Sequence, residues 1–315
     1  MPGDTNKTSV ALIRGQEETV DSNRLLELME KSISLSKRKR IERFAKAPKK
    51  ILFSKVLKAM SVWSKKSIRM QAKTFWGENM LVVFPEVNSL RIYRYGFIEE
   101  ALTKMAIEYV RSGMTFFDIG AHFGYFTLLS SYLVGKKGKV HAFEPTLSST
   151  EILKSNALKK NNIFVSHHAV LSKRKKVVLN DYGLKYSVYN TIFSARIPED
   201  ISANLKPKQY EVESISIDDY VETNGVKPDF VKIDAESSEY EILLGMEKTI
   251  ADSRPIIAIE VGDMGGQDVP ESKELINYLI DRKYLPYECK EGRIIKHLPG
   301  DGRYRFNNIL FLPAK

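Results

Sequence analysis

The chain has 315 residues, 43% hydrophobic and 28% charged, enough for one sizeable core with an appendage or for two modest domains. Its lone Cys289 excludes a disulfide scaffold and a cysteine-based zinc cluster, and no run of eighteen apolar residues suggests a membrane span. A net charge of +10 and a pI near 9.3 raise a polyanionic partner or an anionic membrane surface as questions.

Residues 1–22 show little apolar periodicity and read as a loose tail. The opening MPGDTNKTSV lacks the basic start and apolar centre of a secretory signal, so a cytoplasmic location is expected. Residues 23–90 read as a basic helical appendage. Residues 31–73 hold fifteen Lys or Arg against the single acid Glu42, a net +14 that leaves the remainder at −4. The charge therefore belongs to one segment, and the rest is mildly acidic. Beyond Pro48, the residues Leu52, Val56, Met60 and Trp63 recur at helical spacing as one apolar stripe, flanked by Lys55, Lys58, Lys65 and Lys66. That stripe could pack on the main domain with a solvated lysine face. Alternatively, residues 31–73 could lie against anionic lipid headgroups at the cytoplasmic membrane face. A nucleic-acid footprint is a third reading.

Residues 91–315 carry the regular pattern, with a cofactor-binding core expected over 114–261. TFFDIG reads as a strand, TLLSSYLVG as a helix, GKVHAFEP as a strand, SSTEILKSNALKK as a helix and NIFVSHHAVL as a third strand. An irregular segment, 172–209, follows. Then come VESISI, DDYVET, DFVKID, SEYEILLGM, PIIAIEV, ESKELINYLIDR, YLPYECK and NNILFLP. Short apolar runs alternating with amphipathic stretches predict a doubly wound α/β domain with a mainly parallel sheet and helices on both faces.

Ligands in such sheets bind beyond the strand carboxyl ends, so the first strand-to-helix turn, Asp118-Ile-Gly120-Ala121-His122-Phe-Gly124, is the first place to examine. Gly120 suits a tight turn, Gly124 lets the next helix approach the sheet, and Asp118 can accept from a cationic amino group or a water. Glu144, twenty-four residues after Gly120, ends the second strand where an acid can hold the hydroxyls of a ribose. A dinucleotide site would place glycine where His122 stands. Adenosine with a short amino-acid tail has no pyrophosphate to accommodate, which favours S-adenosylmethionine. Further on, Asp234 and Glu236 fall just past the end of DFVKI, as candidates for chemistry or substrate binding. Lys232 within that strand requires a carboxylate neighbour, and Glu260 is the candidate. The acids Glu236, Glu239 and Glu241 are also ordinary decoration of a helix N-terminus. His167 and His168, adjacent on a strand, point to opposite faces and read as structural.

The ordered set DIGAHFGYFT, HAFEP, the second helix through Asn156, ISIDDY, FVKIDAESSEYEILLGM and RPIIAIEV, preceded by RYGFIEEAL, resembles the FkbM family of class I S-adenosylmethionine-dependent methyltransferases. The resemblance covers residues 95–261. It implies a seven-stranded Rossmann-like sheet with an antiparallel final strand, NNILFLP, and O-methylation of a hydroxyl, often of a sugar in a glycan, lipid-linked saccharide or natural product. It assigns Asp118, Gly120, Ala121, His122, Gly124 and Glu144 to the cofactor, with Glu99 or Glu100 closing over it. The chain departs from the family in having His122 for Asn and Ser237 for Gly.

Methyl transfer from a sulfonium is an in-line displacement that also requires removal of the hydroxyl proton. Asp234 or Glu236 is the expected base, acting directly or through a divalent metal held by the same carboxylates. Two other functions are weighed: an RNA methyltransferase, suggested by the +14 segment, and a non-catalytic cofactor-binding scaffold. The first lacks an Asn/Asp-Pro-Pro-aromatic motif, and Cys289 lies too late in the chain for cysteine attack on a base. Against the second stand Asp118, Glu144 and Asp234, carboxylates at three strand ends. Acceptor specificity is expected from the appendage and from 172–209, with Tyr182, Tyr186, Tyr189 and Arg196.

Overall fold

The computed structural model describes residues 20–193, 205–263, 270–300, 302–305 and 307–314. Arg196 lies outside them. The described chain opens with α1 (Ser22–Lys37), α2 (Arg40–Lys46) and α3 (Pro48–Ser64). Asp21 caps α1 by accepting from the amide of Arg24 at 3.1 Å, and Pro48 begins α3 where a missing N–H costs nothing. The stretch read as helical then forms a hairpin, β1 (Ile68–Lys73) and β2 (Asn79–Phe84), before α4 (Val87–Tyr95) and α5 (Glu100–Tyr109). Met80-Leu-Val-Val-Phe84 is a short β-branched and aromatic run, which suits a strand better than a helix.

Leu25 and Met29 of α1 and Leu57 of α3 share one buried cluster with Met80, Val82, Leu102 and Met105. The appendage is therefore continuous with the body's core. The apolar stripe of α3 is not part of it: Leu52 is 56% exposed, Met60 53% and Trp63 89%. The buried side of α3 is instead Ser54, Leu57 and Ser61. Ser54 accepts from Arg94 Nε at 2.8 Å, and Ser61 donates to the Phe84 carbonyl at 3.1 Å. Hydroxyls pin this helix to the body, and the expectation that its stripe packs on the main domain is corrected.

The body continues through β3 (Thr115–Ile119), α6 (Tyr125–Val134), β4 (Lys139–Phe143), α7 (Leu147–Ala157), β5 (Ile163–Ser166), β6 (Ala169–Val170), β7 (Lys176–Asp181) and β8 (Lys208–Ile215). It ends with α8 (Ile217–Asn224), β9 (Phe230–Ile233), α9 (Glu239–Leu244), α10 (Glu247–Asp252), β10 (Ile256–Val261), α11 (Ser272–Asp281), β11 (Tyr284–Lys290), β12 (Arg293–Lys296) and β13 (Asn307–Pro313). The main sheet has the order β12-β11-β13-β10-β9-β3-β4-β5. β13 runs antiparallel to β10 and β11, as expected for NNILFLP, and β12 folds back antiparallel on β11. Among the described residues the sheet thus has eight strands where seven were expected. The extra strand arises because Glu291 and Gly292 both take positive φ, 52° and 72°, the geometry of a tight hairpin turn.

Alternation along the strands separates two core layers. Phe116, Phe230, Ala258 and Leu310 face α5 and α6, while Phe117, Val231, Ile257 and Ile309 face the layer of α9, α10 and α11. NIFVSHHAVL is broken rather than continuous: β5 stays in the main sheet, whereas β6 joins β8 and β7 in a three-stranded satellite. His167 and His168 sit at the break. Residues 172–209, read as irregular, contain β7, which pairs with β8 over Lys176–Asp181. The chain runs from β3 outward through β4 to β5, then returns to the other side of β3 with β9. This reversal leaves a crevice beyond the carboxyl ends of β3 and β9.

Candidate active site

A cavity of about 260 Å³ occupies that crevice. Its floor is built by β9. Parallel pairing sets Lys232 beside Asp118 on β3 and beside Ala258 on β10, so the ammonium meets Asp118 at 3.2 Å. Glu260, the expected partner, is two residues further along β10, and that expectation is corrected. Lys232 also donates to the carbonyls of Gly120 at 2.7 Å and Ile119 at 3.2 Å, and lies 3.6 Å from Asp234. Burial alone would lower its basicity, but Asp118, Asp234 and Glu99 hold it above the ordinary lysine value.

Asp118 is wholly buried and accepts from Thr127 Oγ1 at 2.6 Å. The cationic amino group it meets belongs to the chain itself. Asp118 is therefore absent from the cavity wall and acts behind it, orienting Lys232. Gly120, at φ 74°, crosses directly under the backbone of Asp234, where a Cβ would lie 1.7 Å from the Asp234 carbonyl oxygen.

Ala121, His122 and Phe123 line the cavity. His122 adopts φ 50°, donates its amide to Glu144 Oε2 at 2.8 Å and places Nε2 at 2.7 Å from Ser187 Oγ. Burial, reinforced by the Lys232 charge, pushes its imidazole down to about 3, so the ring is neutral at physiological pH. Gly124 caps α6, and a Cβ there would press on the side chain of Leu153 in α7. Glu144, at the end of β4, also accepts from the Thr146 amide at 2.9 Å. Burial raises its carboxyl to about 6 against these two hydrogen bonds. Each of its oxygens keeps a lone pair for a further donor.

Glu99 and Glu100 divide. Glu100 points outward and pairs with Lys37 of α1 at 2.8 Å, whereas Glu99 lines the cavity at φ 43° with Oε2 enclosed and lacking a hydrogen-bond partner among the described residues. Burial, then the charge of Asp234, lifts the Glu99 carboxyl to about 8. Because the folded value exceeds the unfolded one, the stability linked to this group is complete below about pH 4.5. It is lost as pH rises through about 8. Glu99→Gln should remove that dependence. Urea denaturation at pH 5, 7 and 9 should show the variant gaining on the wild type already between pH 5 and pH 7, with its lead levelling off at about 1–3 kcal/mol by pH 9.

Beyond β9 and β10, one oxygen each from Asp234, Glu236 and Glu260 lies within 4.8 Å of the others. Burial, with Asp234 and Glu236 nearby, raises Glu260 well above the carboxylate range. Glu260 was assigned elsewhere from the sequence. The available signal was its place at the end of IIAIEV, one strand from Asp234. Glu236 and Ser237 both take positive φ, 43° and 79°. Ser237 thus occupies a backbone conformation that favours the glycine it replaces, and Ser238 stands at the N-cap position of α9. Glu239 accepts from the amides of Ala235 and Ser237, which makes it a brace for this loop.

The satellite closes one side. Leu179, Ser187, Val188, Asn190, Thr191 and Ile192 line the cavity, and Thr191 Oγ1 donates to the Glu236 carbonyl at 2.7 Å. These residues were missed because none carries a charge or a motif. Tyr182, Tyr186 and Tyr189, expected to shape specificity, are not on the wall; their neighbours are. His167 bonds to the Pro145 carbonyl and His168 to Ser166, consistent with structural roles, although His168 also touches the cavity.

The sheet order and the crevice at its reversal are those of a class I, Rossmann-like methyltransferase. A family model described as the methyltransferase FkbM domain matches residues 118–286, and the chain belongs to that family. S-adenosylmethionine is its cofactor, and the cavity suits that cation: an enclosed Glu99 oxygen without a partner, and acids on facing walls. Among solved structures, a methyltransferase FkbM from Methylobacillus flagellatus is 17% identical over 70% of this chain, with TM-score 0.40. The present chain spans about half of it, 52%. Aeropyrum pernix fibrillarin, solved with natively bound S-adenosyl-L-methionine, is 12% identical over 64% of this chain and 67% of its own, with TM-score 0.38. A Thermotoga maritima S-adenosylmethionine-dependent O-methyltransferase is 12% identical over 78% of each chain, with TM-score 0.36. No curated protein matches the sequence.

Proposed function

We propose that the protein transfers a methyl group from S-adenosylmethionine to a hydroxyl, most simply of a sugar in a glycan, lipid-linked saccharide or natural product. The observation that carries this reading is the three-carboxylate cluster of Asp234, Glu236 and Glu260 beside the Gly120–Gly124 turn. Glu144 would hold the ribose, and the backbone of Ala121 and His122 would lie along the amino-acid tail. Glu99 would face the positive end of the ligand. The bound cofactor supplies an electrophilic methyl group. Asp234 or Glu236 takes the acceptor proton, with Glu260 sharing it through the cluster.

A divalent cation bound by the three oxygens would serve the same step by making the hydroxyl more acidic. Chelation separates the two: turnover lost in chelator and restored by Mg²⁺ or Mn²⁺ assigns the cation, and unchanged turnover assigns the free base. In either case Asp234→Asn should lower turnover on a sugar acceptor by about 10²-fold or more, and Glu236→Gln by a similar factor. Cofactor affinity, measured by calorimetry, should move far less. Unchanged turnover in both variants removes the mechanism, and absence of cofactor binding favours a scaffold.

The acidic wall also weighs against RNA as acceptor. Glu86, Glu99, Glu144, Asp234, Glu236 and Glu260 line the cavity, against Lys232 as the one Lys or Arg among the described lining residues. A phosphate backbone entering here would find Lys232 already paired with Asp118.

A further inference from the structure

We propose that the outward face of α3 is a docking surface for an anionic lipid bilayer. This goes beyond the methyl-transfer reading and does not depend on it. Leu52, Val56, Met60 and Trp63 form a stripe about 80° wide on the helix, every member of it exposed, with Phe53 at its edge. α2, which contacts α3, also exposes Ile41, at 84%, and Phe44. Around the stripe stand Lys49, Lys50, Lys55, Lys58, Lys65 and Lys66, all exposed. The opposite side of α3 is committed to the body through Ser54, Leu57 and Ser61, so the helix cannot roll its stripe inward without breaking the bonds to Arg94 and Phe84.

The chemistry selects the occupant. A bilayer with acidic headgroups offers hydrocarbon to Leu52, Val56 and Met60, and phosphates to the lysines. It also offers the headgroup boundary that tryptophan favours. A second copy pairing through the same stripe would set lysines against lysines. Nucleic acid would meet the lysines and leave the stripe in water. Residues 1–19 carry Asp4, Glu17 and Glu18 against Lys7 and Arg14, far too little to offset the +14 of residues 31–73. The surface is also one helix from the cavity: α3 packs on α4, whose Asn88, Ser89 and Ile92 line it. A bilayer held by α3 would therefore bring membrane-borne acceptors near the entrance.

The test uses the full chain and vesicles of phosphatidylcholine with or without about a third of phosphatidylglycerol. Co-sedimentation should be at least about tenfold greater with the anionic lipid and should weaken with salt. Trp63 emission should shift to the blue, and Trp63→Phe should abolish the shift, since the other tryptophan, Trp76, is buried. The combined variant Leu52→Ser, Val56→Ser and Met60→Ser alters only exposed positions, so it should keep the wild-type thermal transition and lose at least about tenfold in binding. No blue shift in the wild type, or no preference for anionic vesicles, overturns the proposal. A wild-type dimer that the triple variant dissolves, without vesicle binding, assigns the stripe to a second copy. Binding that emerges only after residues 1–19 are removed assigns it to that segment. Both outcomes also overturn the proposal.

Discussion

Replacing Lys232 by methionine is expected to cost about 3–5 kcal/mol of folding stability, among the largest losses from a single side chain in this protein. The loss comes mainly from what is left behind. Asp118 has no exposure, and its ion pair at 3.2 Å is what compensates its burial on that side; Asp234 and Glu99 draw on the same ammonium. Methionine fills the volume beside the Phe126 ring but supplies no charge and no donor for the Gly120 and Ile119 carbonyls. Urea denaturation should show the full loss for Lys232→Met and recovery of roughly half or more in Lys232→Met with Asp118→Asn, since the orphaned charge is then gone. A loss below about 1 kcal/mol in the single variant would mean that the pair is not the keystone described here.

The second large effect is expected at Gly120. Alanine there must accommodate a Cβ 1.7 Å from a carbonyl oxygen, and the obstacle is backbone rather than a mobile side chain. The only relief is to push the Asp234 loop away from β3, which also separates the cluster of Asp234, Glu236 and Glu260 from the turn. Gly120→Ala should therefore destabilise by more than about 3 kcal/mol and abolish measurable cofactor binding. Gly225→Ala is the matched control: it also has positive φ, 60°, but its Cβ would meet open space, so only the conformational cost of about 1 kcal/mol remains. Equal losses in the two variants would show that φ, and not the Asp234 carbonyl, governs Gly120.

Much of the site was legible because strand periodicity and chain order place residues at strand ends without reference to partners. Gly120, His122, Glu144, Asp234 and Glu236 all reach one cavity, as their positions after β3, β4 and β9 imply. Which carboxylate Lys232 would choose was not legible. β3 and β10 both flank β9, and each carries an acid near the right level; only the parallel register, Asp118 opposite Lys232, decides. The satellite wall was hidden for another reason. Ser187, Asn190, Thr191 and their neighbours are small, neutral and non-periodic, and they reach the cavity because β7 and β8 pair across more than twenty-five intervening residues.

The sequence by itself determined the α/β class, the family, the station of each strand-end acid and the concentration of positive charge in residues 31–73. These follow from periodicity, spacing and composition, which are properties of the chain read in one dimension. Tertiary structure decided which groups are neighbours and which faces are covered. It turned Asp118 inward to Lys232, brought Glu260 to Asp234, and left the stripe of α3 outside. A helix with an apolar stripe ordinarily turns it to the core, but here the body presents Arg94 and the Phe84 carbonyl, and those groups bind the serines on the other side. The serine side of the helix, with Leu57, is the side bonded to and packed on the body, and the apolar stripe faces outward.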